Sequence, residues 1–244
     1  MKRKTALITG ASRGIGRAAA KAFAKEGCDL VLNCVRSEKE LGQLAGELET
    51  EHRIRTLCCC GDIGDYAFVE GMFEKIKDFC GGIDILVNNA GISYIGLLSE
   101  MPYEEWERIL RTNVTSVYAC CKHAIPYMVS QKSGVILNVS SVWGVCGASC
   151  EVAYSAAKGA VNAFTKALAK ELAPSGVRVN AIACGVIDTD MNAGFTQEER
   201  RELEEEIPAG RFGKPEEAAE FLCRIAGSPD YFTGQVIGFD GGWI

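Results

Sequence analysis

Two residues four apart, Tyr154 and Lys158, carry the clearest chemical signal in this chain. On a helix, positions i and i+4 share a face, so a phenol and an ammonium would be neighbours. A free phenol titrates near 10, too high for efficient proton transfer at neutral pH. A nearby ammonium favours the phenolate and is expected to pull the Tyr154 pKa down. Upstream, Asn138-Val139-Ser140-Ser141 reads as the end of a strand. A hydroxyl at that position, Ser141, can hydrogen-bond a substrate oxygen. Tyr154 and Ser141 together would stabilise negative charge growing on a carbonyl oxygen. The pair is flanked by Ser155-Ala156-Ala157 and Gly159-Ala160. Such small residues mark a helix that packs closely, not an ordinary charged surface.

A second constellation lies at the start of the chain. An apolar run leads into Thr9-Gly10-Ala11-Ser12-Arg13-Gly14-Ile15-Gly16. Glycines at 10, 14 and 16 allow a tight turn and close backbone approach, and a helix starting there points free N–H groups at an anion. The spacing is GxxxGxG rather than GxGxxG, and no Lys-Ser/Thr follows, so it is not a Walker loop. Between a strand and an amphipathic helix, this loop reads as a nucleotide site. The next strand ends in Leu32-Asn33-Cys34-Val35-Arg36, with no acid before Glu38. An acid there usually holds the 2′-hydroxyl of NAD. Arg13 and Arg36 suit a 2′-phosphate instead, because a guanidinium matches phosphate geometry. NADP (NADPH) is therefore the expected cofactor, with NAD as the alternative.

Elements able to hold these groups are legible in the apolar pattern. Strands are expected at 5–9, 29–33, 54–60, 83–87, 135–139, 178–182 and 235–239. Several are nearly continuous apolar runs, as parallel strands covered on both faces require. Helices are expected at 14–25, 38–51, 66–79, 104–130, 151–172 and 215–226. Gly27 follows the first, and Pro174 with Gly176 follows the fifth. The alternation predicts an α/β fold: one Rossmann domain over 1–244, with a doubly wound seven-stranded parallel sheet and helices on both faces. The acidic stretch 191–213 is expected to form a helical flap over a cleft.

Composition narrows the class. The chain has 244 residues, 48% of them hydrophobic, enough to bury a sizeable core and exclude wholesale disorder. No run approaches 18 apolar residues, so no membrane span is expected. Met1-Lys2-Arg3 is charged, but no apolar leader region follows. A net charge of −6 argues against a nucleic-acid partner. Twelve cysteines include Cys58-Cys59-Cys60 and Cys120-Cys121, but no CxxC pair, and only His52 and His123 could assist. No metal site is expected. Free thiols used as small apolar side chains fit a reducing cytoplasm.

These residues together resemble the short-chain dehydrogenase/reductase family over essentially the whole chain. The matching elements are TGASRGIG at 9–16, Asp62-Ile63, Asn88-Asn89-Ala90-Gly91, Asn113, Ser141, Tyr154-Ser155-Ala156-Ala157-Lys158 and Asp188-Thr189-Asp190. The resemblance implies that Tyr154 protonates the carbonyl oxygen and that Ser141 positions it. It implies that Lys158 holds the nicotinamide ribose and that Asn113 holds a water linking Lys158 to solvent. Asp62 and Ile63 would flank the adenine, and Asn89, Ala90 and Gly91 would line the cofactor trough. Ile187 and Thr189 would approach its carboxamide and phosphate side. One departure is Cys184-Gly185, where the family usually has Pro-Gly.

The chain is most similar to the 3-oxoacyl-carrier-protein reductases in its SRGIG loop, the missing acid after strand two, and the tail Phe232-Thr233-Gly234-Gln235 to Asp240-Gly241-Gly242. That resemblance implies NADPH-dependent reduction of a 3-oxoacyl thioester, with acyl carrier protein as partner, in a homotetramer. Lys132 and Lys170 could serve an acidic carrier, but the loop at 174–176 has no positive charge. A second resemblance rests on Gly147-Ala148-Ser149-Cys150-Glu151-Val152. It is to the reductases of the 5-aminopentanone group on a lysine of elongation factor P. Glu151 could pair with the substrate amine, or it could simply sit at its helix N-terminus, favoured by the dipole. Trp143 walls the pocket or fills the core. A non-catalytic NADP-binding regulator is a third reading, but such relatives typically lose the Tyr or the Lys retained here. The helices 104–130 and 151–172 carry apolar or small residues on more than one face, as subunit contacts would require.

Overall fold

Seven short apolar runs become the strands of one parallel sheet: β1 (Thr5–Ile8), β2 (Asp29–Cys34), β3 (Thr56–Cys60), β4 (Ile85–Asn88), β5 (Gly134–Ser141), β6 (Val177–Cys184) and β7 (Val236–Phe239). The structure is a computed structural model and describes residues 3–244; Met1 and Lys2, part of the leader argument, lie outside the described residues. Strand order is β3-β2-β1-β4-β5-β6-β7. The order reverses between β1 and β4, which opens a crevice at the carboxyl ends of those strands. β1, β2, β4, β5 and β6 are buried along their whole length, whereas the edge strands β3 and β7 are partly exposed.

The helices are α1 (Gly14–Lys25), α2 (Glu38–His52), α3 (Tyr66–Cys80), α4 (Tyr103–Leu110), α5 (Ser116–Gln131), α6 (Trp143–Cys146), α7 (Val152–Leu172), α8 (Gln197–Glu206) and α9 (Pro215–Ala226). Successive strand residues feed opposite cores, as a period of two demands. Ala6 and Ile8 join the core under α1, α2 and α9; Leu7 joins the one under α3, α5 and α7. A third, smaller cluster gathers Ile109, Ala153 and Ala157 with Trp106 and Tyr94. No helix among the described residues is long and apolar enough to cross a membrane.

Two differences from the sequence pattern stand out. The expected helix over 104–130 is broken into α4, a π-helical turn at Arg111–Thr115, and α5. A π turn shifts the hydrogen-bond register while leaving the apolar spacing nearly intact, so periodicity does not reveal it. The first residues expected in the third and fourth strands, Ile54 and Ile83, are buried but precede the ladder. Within 191–213, where a helical flap is expected, α8 opens with a capping box between Thr196 and Glu199 and contributes no buried residue.

Candidate active site

The strand ends and α7 bring the expected proton-transfer residues together. Tyr154 is 9% exposed and Lys158 4%, both on the buried face of α7. Lys158 Nζ donates to Val139 O of β5 at 2.8 Å and stands 5.5 Å from the Tyr154 ring centroid. The Ser141 hydroxyl hydrogen-bonds the Tyr154 phenol and accepts from the Trp143 amide at 3.2 Å. Asn113 lies in the π turn, buried, and its amide is engaged at both ends by Ile92: Ile92 N donates to Oδ1 at 2.9 Å, and Nδ2 donates to Ile92 O at 2.8 Å. A Cβ on Gly91 would stand 3.4 Å from Asn113 Oδ1 and 3.5 Å from Lys158 Nζ, so Gly91 separates the two.

One expectation is corrected. Lys158 does not pull the Tyr154 phenol down. Burial pushes the phenol above its usual value, and the Cys184 thiol and Glu151 carboxylate push the same way; only the Ser141 hydrogen bond opposes them. Removing the phenolate from water dominates, and the ammonium, aimed at Val139 O, offers no offset. Lys158 itself is lowered by burial to about 8. Cys184, in the family's usual proline position, is buried beside the pair and is pushed up to about 12 by desolvation.

The glycine loop forms a cradle. Gly14 adopts φ 53°, a region L side chains rarely occupy. A Cβ on Gly16 would lie 2.2 Å from Gly10 O, so only glycine lets α1 approach the loop this closely. The N-terminus of α1 has no side-chain cap and no acid in its first turn, which leaves its N–H groups for an anion. Thr9 Oγ1 accepts from Asn89 N and Ala90 N, both at 3.0 Å, and Asn89 Nδ2 donates to Thr9 O at 2.9 Å. These bonds fix 89–91 against the loop. Ser12 and Ile15 are half-buried in it, and Arg13 is exposed with a guanidinium nitrogen 3.6 Å from Asp190. Arg36 is exposed just past β2, and Asp62 Oδ1 accepts from Gly64 N at 2.8 Å. Thr189 faces the loop: its Cγ2 would be 3.2 Å from a Cβ on Gly14. Ile63 is 2% and Ile187 4% exposed, so a contact from either to a cofactor runs through the main chain. An uncapped helix start, a glycine turn and two exposed arginines fit a phosphate-bearing dinucleotide.

The mouth holds residues the sequence pattern did not link. Trp143 and Trp243 meet with ring centroids 5.0 Å apart. Glu151 is the N-cap residue of α7, but its side chain makes no capping bond. It takes the Trp143 indole N–H instead, and burial raises its pKa. Trp143 is therefore half-buried against Trp243 and Glu151 and belongs to none of the core clusters. Trp243 carries no local motif, and only the return of the chain after β7 to α6 reveals it.

Lys158 gives a pH test. Native Lys158 loses its proton from about 8, whereas the unfolded side chain keeps it to about 10.4. The unfolded state then binds more protons, so this position gains stability as pH rises through that window; below it the burial penalty is fully present. Wild type should gain on Lys158→Met in denaturant midpoint between about pH 7 and about pH 10. A constant gap would contradict the buried titration.

Comparison with known proteins agrees with this geometry. The model of the short chain dehydrogenase family matches residues 4–200. The chain is 40% identical over 241 residues to the uncharacterized oxidoreductase YmfI of Bacillus subtilis, covering 98% of each. It is 39% identical over 242 residues to the 3-oxoacyl-[acyl-carrier-protein] reductase FabG of Aquifex aeolicus, covering 98% of this chain and 96% of that one. A solved structure of a putative gluconate dehydrogenase from Agrobacterium tumefaciens superposes with a TM-score of 0.93 at 31% identity, over 98% of this chain and 95% of that one. The chain belongs to the short-chain dehydrogenase family and is an NAD(P)-dependent oxidoreductase of CH–OH and C=O groups.

Proposed function

We propose that this enzyme uses NADPH to reduce a 3-oxoacyl thioester to the 3-hydroxyacyl thioester. The observation that carries the reading is the hydrogen-bonded Tyr154–Ser141 pair standing at the strand ends beside an uncapped glycine-loop cradle. When bound, the reduced nicotinamide supplies the hydride. Ser141 holds the carbonyl oxygen in place. Tyr154, kept protonated by burial, delivers its proton to that oxygen as charge develops there. Lys158 holds the nicotinamide ribose and is the cation next to the phenolate left behind. Asn113 supports a water that returns a proton from solvent through Lys158. Gly10, Gly14 and Gly16, with Ser12 and Ile15, cradle the phosphates, while Arg13 and Arg36 favour the 2′-phosphate of NADP. Asp62 and Ile63 flank the adenine, Asn89, Ala90 and Gly91 line the trough, and Ile187 and Thr189 close the carboxamide side. The segment 191–213 acts as a flap on this single domain.

The test is oxidation of NADPH and of NADH by the purified protein with a short 3-oxoacyl thioester. Turnover is expected with NADPH, and faster than with NADH. Tyr154→Phe should lower kcat by at least about 100-fold while NADPH binding stays intact. NADPH binding without turnover of the thioester would sink the substrate reading.

A second reading is favoured by Glu151. Its half-buried carboxylate forms no ion pair among the described residues and stands close enough to act on Tyr154. A substrate amine would match it, as on the 5-aminopentanone group of elongation factor P. With that substrate, Glu151→Gln should raise KM about tenfold or more and leave thioester turnover unchanged. Equal KM values for variant and wild type would exclude an amine contact.

The assembly we infer is a homotetramer in a reducing cytoplasm. Ala156, Ala160, Ala163 and Ala167 leave small, exposed positions along α7, suited to a close helix partner. All twelve cysteines are free thiols. Light scattering at micromolar concentration should give four times the chain mass, and a monomer would refute the assembly.

A further inference from the structure

The end of β2 faces the end of β3. The two strands run parallel in a register that pairs Cys34 with Cys60, and their Sγ atoms are 3.7 Å apart. Neighbouring strands stand about 4.8 Å apart. That separation lies inside the Cα window of about 4.4–6.8 Å for a disulfide. The sulfurs must still close to about 2.05 Å. β3 can give way, because it is an edge strand paired only with β2. The adjacent thiols do not compete for this bond. Cys58 shares the Cys60 face but lies about 6.6 Å along the strand, and its register partner is Leu32. Cys59 points into the opposite core.

The chain on either side of the pair belongs to the cofactor cradle. Cys34 leads through Val35 to Arg36, and Cys60 leads through Gly61 to Asp62. Gly61 N donates to Cys34 O at 2.9 Å. Asn33 Nδ2 donates to Cys59 O and Gly61 O, each at 3.0 Å, and Asn33 O accepts from Ala11 N of the glycine loop at 2.7 Å. Drawing the two sulfurs together therefore pulls on the segments that carry Arg36, Asp62 and the loop.

We propose that Cys34 and Cys60 form a reversible dithiol–disulfide site that sets cofactor affinity, with low-molecular-weight disulfides as its reagent. The effect on affinity rests on the reading of Arg36 and Asp62 as contacts to the adenosine end. Cys60 is half-buried and reacts first; Cys34 is 2% exposed and resolves. The Cys60 sulfur attacks the disulfide reagent, whose S–S bond breaks, and one thiol leaves with the Cys60 proton. Cys34 then attacks the mixed disulfide, the Cys34–Cys60 bond forms, and the second thiol leaves with the Cys34 proton. Two cysteines are oxidised and one disulfide is reduced to two thiols. Burial and the adjoining Cys60 push the Cys34 thiol up to about 12, which agrees with its acting second.

The experiment uses the whole chain with oxidised glutathione, followed by alkylation of the remaining thiols, peptide mass mapping and fluorescence titration with NADPH. A Cys34–Cys60 link about 2 Da lighter than the dithiol is expected. NADPH should then bind about tenfold more weakly, and dithiothreitol should restore binding. Cys60→Ser and Cys34→Ala should form no link and show no change with oxidant; if Cys34→Ala fails to fold, Cys60→Ser carries the control. Glutathione found only as adducts on the exposed Cys58 or Cys146 overturns the site. A link that leaves NADPH binding unchanged overturns the coupling. A reduced wild type that does not bind NADPH at all refutes the cofactor reading and the coupling with it, while the mass map still decides whether the bond forms.

Discussion

The ammonium of Lys158 is the constraint around which this site is built. A charge this deeply buried is unfavourable unless hydrogen-bonded. Val139 O supplies that bond, and the requirement fixes where α7 lies against β5. The surroundings follow from it. Ser140 Oγ donates to Lys158 O, which clamps the same turn of α7 to the strand. A Cβ on Gly144 would come within 2.6 Å of the Lys158 carbonyl carbon, so α6 can cross α7 only because that residue is glycine. With α7 held in this way, Tyr154 one turn earlier can fall only beside Ser141.

A polar ladder beneath the site supports the same placement. Asn88 Nδ2 donates to Asn138 Oδ1 at 2.9 Å, and Asn138 Nδ2 donates to Thr165 Oγ1 at 2.8 Å. Three side chains from β4, β5 and α7 thus satisfy each other in an otherwise apolar interior. Buried amides demand partners, so the ladder fixes relative positions more sharply than alkyl packing does. Thr9 and Asn89 do the same at the edge of the crevice, where the glycine loop must stay open to a ligand.

The sequence made some features legible and hid others for definite reasons. α1 and α9 begin and end where expected because glycine and proline punctuate them. The parallel sheet with helices on both faces follows from apolar runs that alternate with helical ones. The π turn at Asn113 was hidden because it changes hydrogen-bond register and not residue pattern. The upward shift of Tyr154 was hidden because spacing puts an ammonium nearby but does not say where it points. Ile63 and Ile187 matched a motif, yet motif matching says nothing of which way a side chain turns. The contact of Trp143 with Trp243 joins residues about a hundred apart, and no local signal spans that distance.

That contact has a practical side. The chain has three tryptophans. Two of them, Trp143 and Trp243, touch at the mouth, and Trp106 packs against the small cluster that includes Ala153 and Ala157 of α7. The intrinsic ultraviolet emission of the molecule therefore comes from the neighbourhood of its site, with no indole elsewhere in the chain to dilute it. The enzyme carries a built-in optical gauge of that region.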